Sequence, residues 1–200
     1  HVIVDRVTQI DRSAKIVTLA GNESIEYKKL ILATGSLPII PTFIPGNDLE
    51  NVFAVYKNQD YLNSLLDKLQ TVQNVVVIGG GFIGVEFAEQ IRLSGKNVTL
   101  IELADACLWQ AFDRSFTDDI EASLTANGIR LLTGAKVKKI VGVTVAEGVE
   151  VESGEVIPAD IVILGLGVKP NSALAKEAGL ELNGKGAIVV EQYARTADPG

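Results

Sequence analysis

The chain has 200 residues, 47% of them hydrophobic, with a formal net charge of −7 and a single cysteine. That length suits one large domain or two small ones with ample apolar material for a core, and an acidic balance without a basic patch argues against nucleic acid and anionic membrane as partners. No run of about eighteen uninterrupted apolar residues marks a membrane span, no signal-peptide pattern opens the chain, and one cysteine forms no internal disulfide, so a cytoplasmic setting is expected.

The first thirty residues alternate β-rich stretches with turn signals: 2–4, 7–10, a turn at 11–13, 14–20, a turn at 21–22, 24–27 and 29–33. This pattern predicts a small antiparallel meander feeding a buried strand over Lys29 to Ala33. The prolines and glycines of ATGSLPIIPTFIPG, Ala33 to Gly46, then predict an ordered loop or linker. Leu62, Leu65, Leu66 and Leu69 recur at helical spacing and predict a short helix over Asp60 to Gln70.

The next segment carries the most information. Val75 to Ile78 is an apolar run without alternation that stops at glycine, as a buried parallel strand does. Gly79, Gly81 and Gly84 follow with the spacing GxGxxG: the first permits a tight turn, the second lets backbone approach a pyrophosphate, and the third lets a helix pack close to the strand. That helix presents Ile83, Phe87, Ile91, Val85 and Ala88 and ends near Ser94-Gly95. A second strand, Val98 to Ile101, delivers Glu102 to its end, where a carboxylate can accept from both ribose hydroxyls and would repel a 2′-phosphate. Strand, turn, helix, strand and acid in this order predict a dinucleotide site that prefers NAD(H) to NADP(H).

Beyond the acid, Asp113 or Ser115 can cap a helix faced by Phe116, Ile120 and Leu124 and ended by Asn127-Gly128. Ile129 to Leu132 reads as a third strand, Val137 to Ile157 as a valine-rich meander, and Asp160 to Leu164 as a fourth strand. That strand runs into GLGVKPN, where Gly165 and Gly167 permit close backbone approach to a ligand. One more strand is expected in AIVVEQYARTADPG. Cys107 has no second cysteine or nearby histidine to activate it and reads as a packing residue. His1 is not a credible ligand, Trp109 and Tyr56 are better read as packing than as adenine contacts, and the acids form no metal-ligand cluster, so no metal is expected.

The order LILATGS, VVVIGGGFIGVEFAE, VTLIE, ADIVILGLGVKPN and IVVEQYARTADPG resembles the FAD-dependent pyridine nucleotide-disulfide oxidoreductase family across essentially the whole chain. It is most similar to the branch of NADH oxidases and coenzyme A-disulfide reductases. The fold class this implies is α/β: a Rossmann-like, doubly wound parallel sheet with an antiparallel β-meander crossover, flanked by partial FAD-domain segments. Members of the family begin with a GxGxxG fingerprint for FAD, followed in the disulfide-reducing branches by a redox cysteine, and carry a flavin-holding Gly-Asp and an interface domain after the segment matching ARTADPG. The resemblance thus implies an internal portion of a larger flavoenzyme. Residues 1–46 and 172–200 would be pieces of the FAD domain, and 47–171 the complete NAD(H)-binding domain.

The resemblance also implies roles, residue by residue. Gly79, Gly80, Gly81, Phe82, Ile83 and Gly84 would form the pyrophosphate turn, Glu102 the ribose acid, Gly165 and Gly167 the loop beside nicotinamide, and Ala33, Thr34 and Gly35 part of the cofactor-binding set. Phe82 would lie near the flavin and shield it until nicotinamide enters, or else pack at the helix start. Glu86 would pair with a flavin-side lysine preceding His1, or else be a solvated helix acid. Lys169 stands where arginine is more usual, keeping the charge without bidentate geometry. The implied activity is hydride transfer from NADH to FAD and on to a disulfide, persulfide or oxygen, through a small-molecule or protein acceptor, in a homodimeric parent. No catalytic redox centre is expected within these 200 residues, and alone they are expected to be inactive. Rubredoxin and ferredoxin reductases share the same motifs, and an NADH-binding redox sensor or apoptosis-inducing-factor-like protein is a further alternative.

Overall fold

The structure, a computed structural model, describes residues 1–198. In chain order its elements are β1 (Val7–Asp11), β2 (Ile16–Leu19), β3 (Ser24–Glu26), β4 (Ser36–Pro38), β5 (Val52–Ala54), α1 (Gln59–Thr71), β6 (Asn74–Ile78), α2 (Phe82–Leu93) and β7 (Asn97–Ile101). There follow α3 (Arg114–Ala126), β8 (Arg130–Leu132), β9 (Val137–Gly142), β10 (Ala146–Val151), β11 (Val156–Pro158), β12 (Ile161–Leu164), β13 (Val168–Pro170) and α4 (Ala173–Glu177). They divide into two compact units, residues 1–37 with 168–200 and residues 38–167.

The larger unit is built on a five-stranded parallel sheet of order β5-β12-β6-β7-β8. Its central strands β6 and β12 show no sequence alternation because both faces are covered. Odd-numbered Val75, Val77, Ile161 and Ile163, with Val98 and Leu100 of β7, pack against Leu65 and Leu69 of α1, Ala88 and Ile91 of α2 and Leu124 of α3. Even-numbered Val76, Ile78, Val162 and Leu164, with Ile101, pack against Ile140, Val149, Val151 and Ile157 of the antiparallel β11-β10-β9 meander. Helices therefore cover one face and a β-meander the other, the α/β arrangement expected. Val75, Val76, Val77, Ile161, Val162 and Ile163 are at most 1% exposed. At about 1.5–3 kcal/mol per fully buried aliphatic side chain, the two central strands dominate the stabilisation of this unit.

The smaller unit contains the antiparallel β1-β2-β3 sheet, the β13-β4 ribbon and α4. Its buried apolar residues are few, chiefly Ile10, Val17, Leu19 and Ala175. Arg12 ties it together: its guanidinium pairs with Asp198 and donates to the carbonyls of Ala178 and Gly179, 3.2 and 3.1 Å away, just past the C-terminus of α4.

Several expectations are corrected. Val2 to Val4 form no strand, and Val2 and Val4 are more than 90% exposed. Lys29 to Ala33 is not a buried strand: it has no ladder partner among the described residues and Ile31 is 89% exposed. Apolar, β-branched composition favours a strand only where a neighbouring backbone completes the hydrogen bonds. The expected last strand is also absent. Asn183 Oδ1 accepts from the N–H groups of Lys185 and Ala187 at 2.9 and 3.0 Å, closing a turn that leaves one bridge, Leu182 to Ile188, instead of a ladder. The final two residues of that segment, 199 and 200, lie outside the described residues. The linker after Ala33 includes β4, and β5 and α4 were not foreseen; at three to five residues each is too short to show a period.

Candidate dinucleotide site

Strand β6 has β7, the next parallel strand in sequence, on one side and β12, reached only after the meander, on the other. The strand order reverses there, and the crevice beyond the carboxyl ends of two such strands is where open α/β sheets bind ligands. The two glycine segments sit at this place, Gly79–Gly81 after β6 and Gly165–Gly167 after β12.

The glycines divide into two kinds. Gly79 has φ +107, and a Cβ there would stand 2.7 Å from the Gly165 carbonyl oxygen. A Cβ on Gly84 would lie 1.7 Å from the Gly79 oxygen, and one on Gly165 would lie 2.9 Å from the Gly84 Cα. Turn, helix and β12 are thus pressed together at three backbones, and the chain's own packing requires these residues. Gly81 differs. It is extended, with φ −77, and a Cβ there would meet nothing within 4 Å. The fold does not ask for glycine at this position; the space over it opens onto the N-terminus of α2, whose cap makes no side-chain hydrogen bond. The first N–H groups of such a helix and its dipole favour an anion.

Glu102, immediately after β7, is already engaged. Its Oε2 accepts from the Gly80 N–H at 2.5 Å and its Oε1 from the Ala104 N–H at 2.7 Å. The Gly80 carbonyl accepts from the Leu108 N–H at 2.9 Å, so both backbone groups of Gly80 are fastened to the segment that follows β7. A Cβ on Gly80 would strike Cys107 Sγ at 2.7 Å. Leu108 adopts φ +56, a costly conformation for a bulky residue that this fastening holds in place. Each carboxylate oxygen has a second lone pair, so Glu102 keeps acceptor capacity toward a diol.

Gly79, Gly80, Gly81, Phe82, Ile83, Glu102, Gly165 and Gly167 all line one cleft of about 380 Å³, within the size range of ligand pockets. Gly84 lies beneath it as a packing contact. Phe82 is 62% exposed at its edge and meets Phe112 edge to face, with ring centroids 5.9 Å apart. Glu86 is exposed on α2. Ala33, Thr34 and Gly35 belong to the other unit. There Thr34 Oγ1 donates to the Asn171 carbonyl at 2.6 Å, and Asn171 Nδ2 donates to the Thr34 carbonyl at 3.0 Å. Lys169 is exposed. Cys107 is fully buried, and burial, followed by the nearby carboxylates of Glu121 and Glu102, pushes its thiol up to about 12. It stays protonated and inert at neutral pH.

The rest of the cleft wall is Leu108 to Ala111 and Leu166, which no sequence motif marks; Trp109, expected to pack, lines the cleft. Residues 103–112 form turns and bends without a periodic pattern. Their position directly after the acid was the one available signal.

The whole chain, residues 1–200, matches the family model of pyridine nucleotide-disulphide oxidoreductases. An NADH oxidase of Enterococcus faecalis is 37% identical over 188 residues, covering 94% of this chain and 42% of that protein. A ferredoxin reductase from Rhodopseudomonas palustris superposes with a TM-score of 0.91 at 33% identity, over 98% of this chain and 48% of its own. A water-forming NADH oxidase from Lactobacillus brevis, solved with NADH bound, gives a TM-score of 0.86 at 31% identity, over 97% of this chain and 43% of its own. The chain thus spans less than half the length of each of these three relatives.

Proposed function

The chain belongs to the pyridine nucleotide-disulphide oxidoreductase family, and from that premise we propose that it is the NAD(H)-holding part of an FAD-dependent oxidoreductase that passes hydride from NADH to flavin. The observation that carries this reading is the open space at Gly81: the one glycine of the turn that internal packing leaves unexplained stands over a helix N-terminus. The residues fit a dinucleotide. The N–H groups at the start of α2 suit a pyrophosphate, the spare lone pairs of Glu102 suit a ribose diol, and Gly167, where a Cβ would meet nothing within 4 Å, leaves open space for the remaining half of the molecule. When bound, the nicotinamide and flavin supply the hydride chemistry. The work of this chain is to hold and orient the dinucleotide, with Phe82 at the rim excluding water and Glu86 on α2 offering charge to a cation of the flavin side.

In this reading the smaller unit belongs to the flavin domain. The support is an open backbone at Gly35, with φ +70 and no atom within 4 Å of a Cβ, beside Ala33 and Thr34. The electron acceptor is a disulfide, a persulfide, oxygen or a protein; the likeness to a ferredoxin reductase supports the protein class. The parent is proposed to be a cytoplasmic homodimer. Among the described residues no helix is long and apolar enough to cross a membrane.

Calorimetric titration with NADH and NADPH tests the proposal. NADH binds the tighter of the two because a 2′-phosphate would meet the Glu102 carboxylate. Absence of NADH binding, or tighter binding of NADPH, would overturn it.

A further inference from the structure

Leu108 lies in the left-handed region, a conformation that a bulky side chain keeps only where its surroundings fix it. Its N–H donates to the Gly80 carbonyl at 2.9 Å, and the N–H just before it, that of Cys107, donates to Glu121 Oε1 at 2.8 Å. Successive amides thus tie one strained residue to the glycine turn on one side and to helix α3 on the other. Glu121 stands one turn past the buried Thr117 and is itself half-buried. Its carboxylate forms no ion pair among the described residues; its one hydrogen bond is the one to Cys107, of the charge-assisted kind. Arg114 also reaches this segment, donating to the Asp105 carbonyl at 3.0 Å, but that bond is exposed and falls before the strained residue instead of next to it.

The tie from Glu121 ends at the peptide between Gly80 and Gly81. That unit is planar and trans, so with the Gly80 carbonyl held by Leu108 the Gly81 N–H, on the opposite edge, points away from Leu108. Among the described residues the Gly81 N–H meets no acceptor. It is a donor kept unspent beside the first N–H groups of α2. Glu121 does not line the turn cleft. We infer that Glu121 is a positioning residue for the dinucleotide: it acts through Cys107, Leu108 and the Gly80 carbonyl to aim the Gly81 N–H, and touches no part of the ligand. The inference rests on the dinucleotide reading proposed above.

Calorimetric titration of the full chain with NADH tests it. Glu121→Ala removes the acceptor and lowers NADH affinity about tenfold, the range of one misdirected hydrogen bond to a charged group. Glu121→Gln, whose amide oxygen still accepts from Cys107, stays within about threefold of native. Ile129→Val is the control: it trims a buried side chain between α3 and β8, lowers Tm by a comparable few degrees and leaves NADH affinity unchanged. In amide exchange without ligand, Cys107 and Leu108 lose protection in Glu121→Ala relative to Ile129→Val, while β6 exchanges alike in the two. Native NADH affinity in Glu121→Ala, unchanged exchange at Cys107 and Leu108, or an equal loss of affinity in Glu121→Gln or Ile129→Val overturns the positioning role and leaves the dinucleotide reading standing. If NADH fails to bind the native chain, both fall.

Discussion

At residue scale, the carboxylate of Glu102 couples two parts of the site. By accepting from Gly80 and Ala104 it fixes the glycine turn and the segment after β7 to one another. Its sequence position at the end of β7 suggests ribose recognition, and nothing in that position reveals the backbone ties, which depend on the turn lying one strand away. Glu102→Gln keeps the size but offers one acceptor oxygen to two donors, leaving an N–H facing an amide. The expected loss is about 1 kcal/mol for a half-buried site, near 2–4 °C in Tm for a domain of this size. NADH affinity is expected to fall with it and NADPH affinity not to rise in exchange, since the glycine turn proposed to hold the pyrophosphate of either loosens. Thermal unfolding and paired titrations check this; unchanged Tm with improved NADPH binding would show that Glu102 acts on the ribose alone.

At the scale of elements, legibility followed the range of the forces involved. The unit from β6 to Glu102 was readable because each constraint is local: an apolar run, a positive φ at Gly79, a helix cap at Gly95, an acid at a strand end. Helices α1 and α3 were readable from their apolar spacing, although Leu66 and Phe116, both on the expected apolar faces, are 58% and 60% exposed. Lys29 to Ala33 and Ala187 to Val190 were misread because their composition is that of strands while the ladder partners a strand needs are absent among the described residues. The wall at Leu108 to Ala111 was hidden for the opposite reason: its shape comes from bonds to Gly80 and not from its own pattern. Amide hydrogen exchange separates the two classes. Val75 to Ile78 and Ile161 to Leu164 should exchange only through global unfolding, and amides over 29–33 within seconds to minutes. Protection of 29–33 equal to that of β6 would contradict the ladder assignments.

At the scale of the whole molecule, the two units differ in kind. Residues 38–167 carry both large apolar clusters, one on each face of the parallel sheet, and the entire turn cleft. The smaller unit has a thin core and exposes Val2, Val4 and Ile31, and its flavin role rests on likeness to proteins more than twice the length of this chain. The central claim, that this chain holds NAD(H) by its backbone at the glycine turn, belongs to the larger unit and turns on Gly81. Calorimetric titration of NADH against native protein and Gly81→Ala, each with its unfolding curve, tests it most directly. The account predicts that Gly81→Ala melts within a few degrees of native, since its Cβ enters open space, and loses NADH affinity by about tenfold or more, ~1.4 kcal/mol. Equal NADH affinity in the two proteins, with both fully folded, would contradict it.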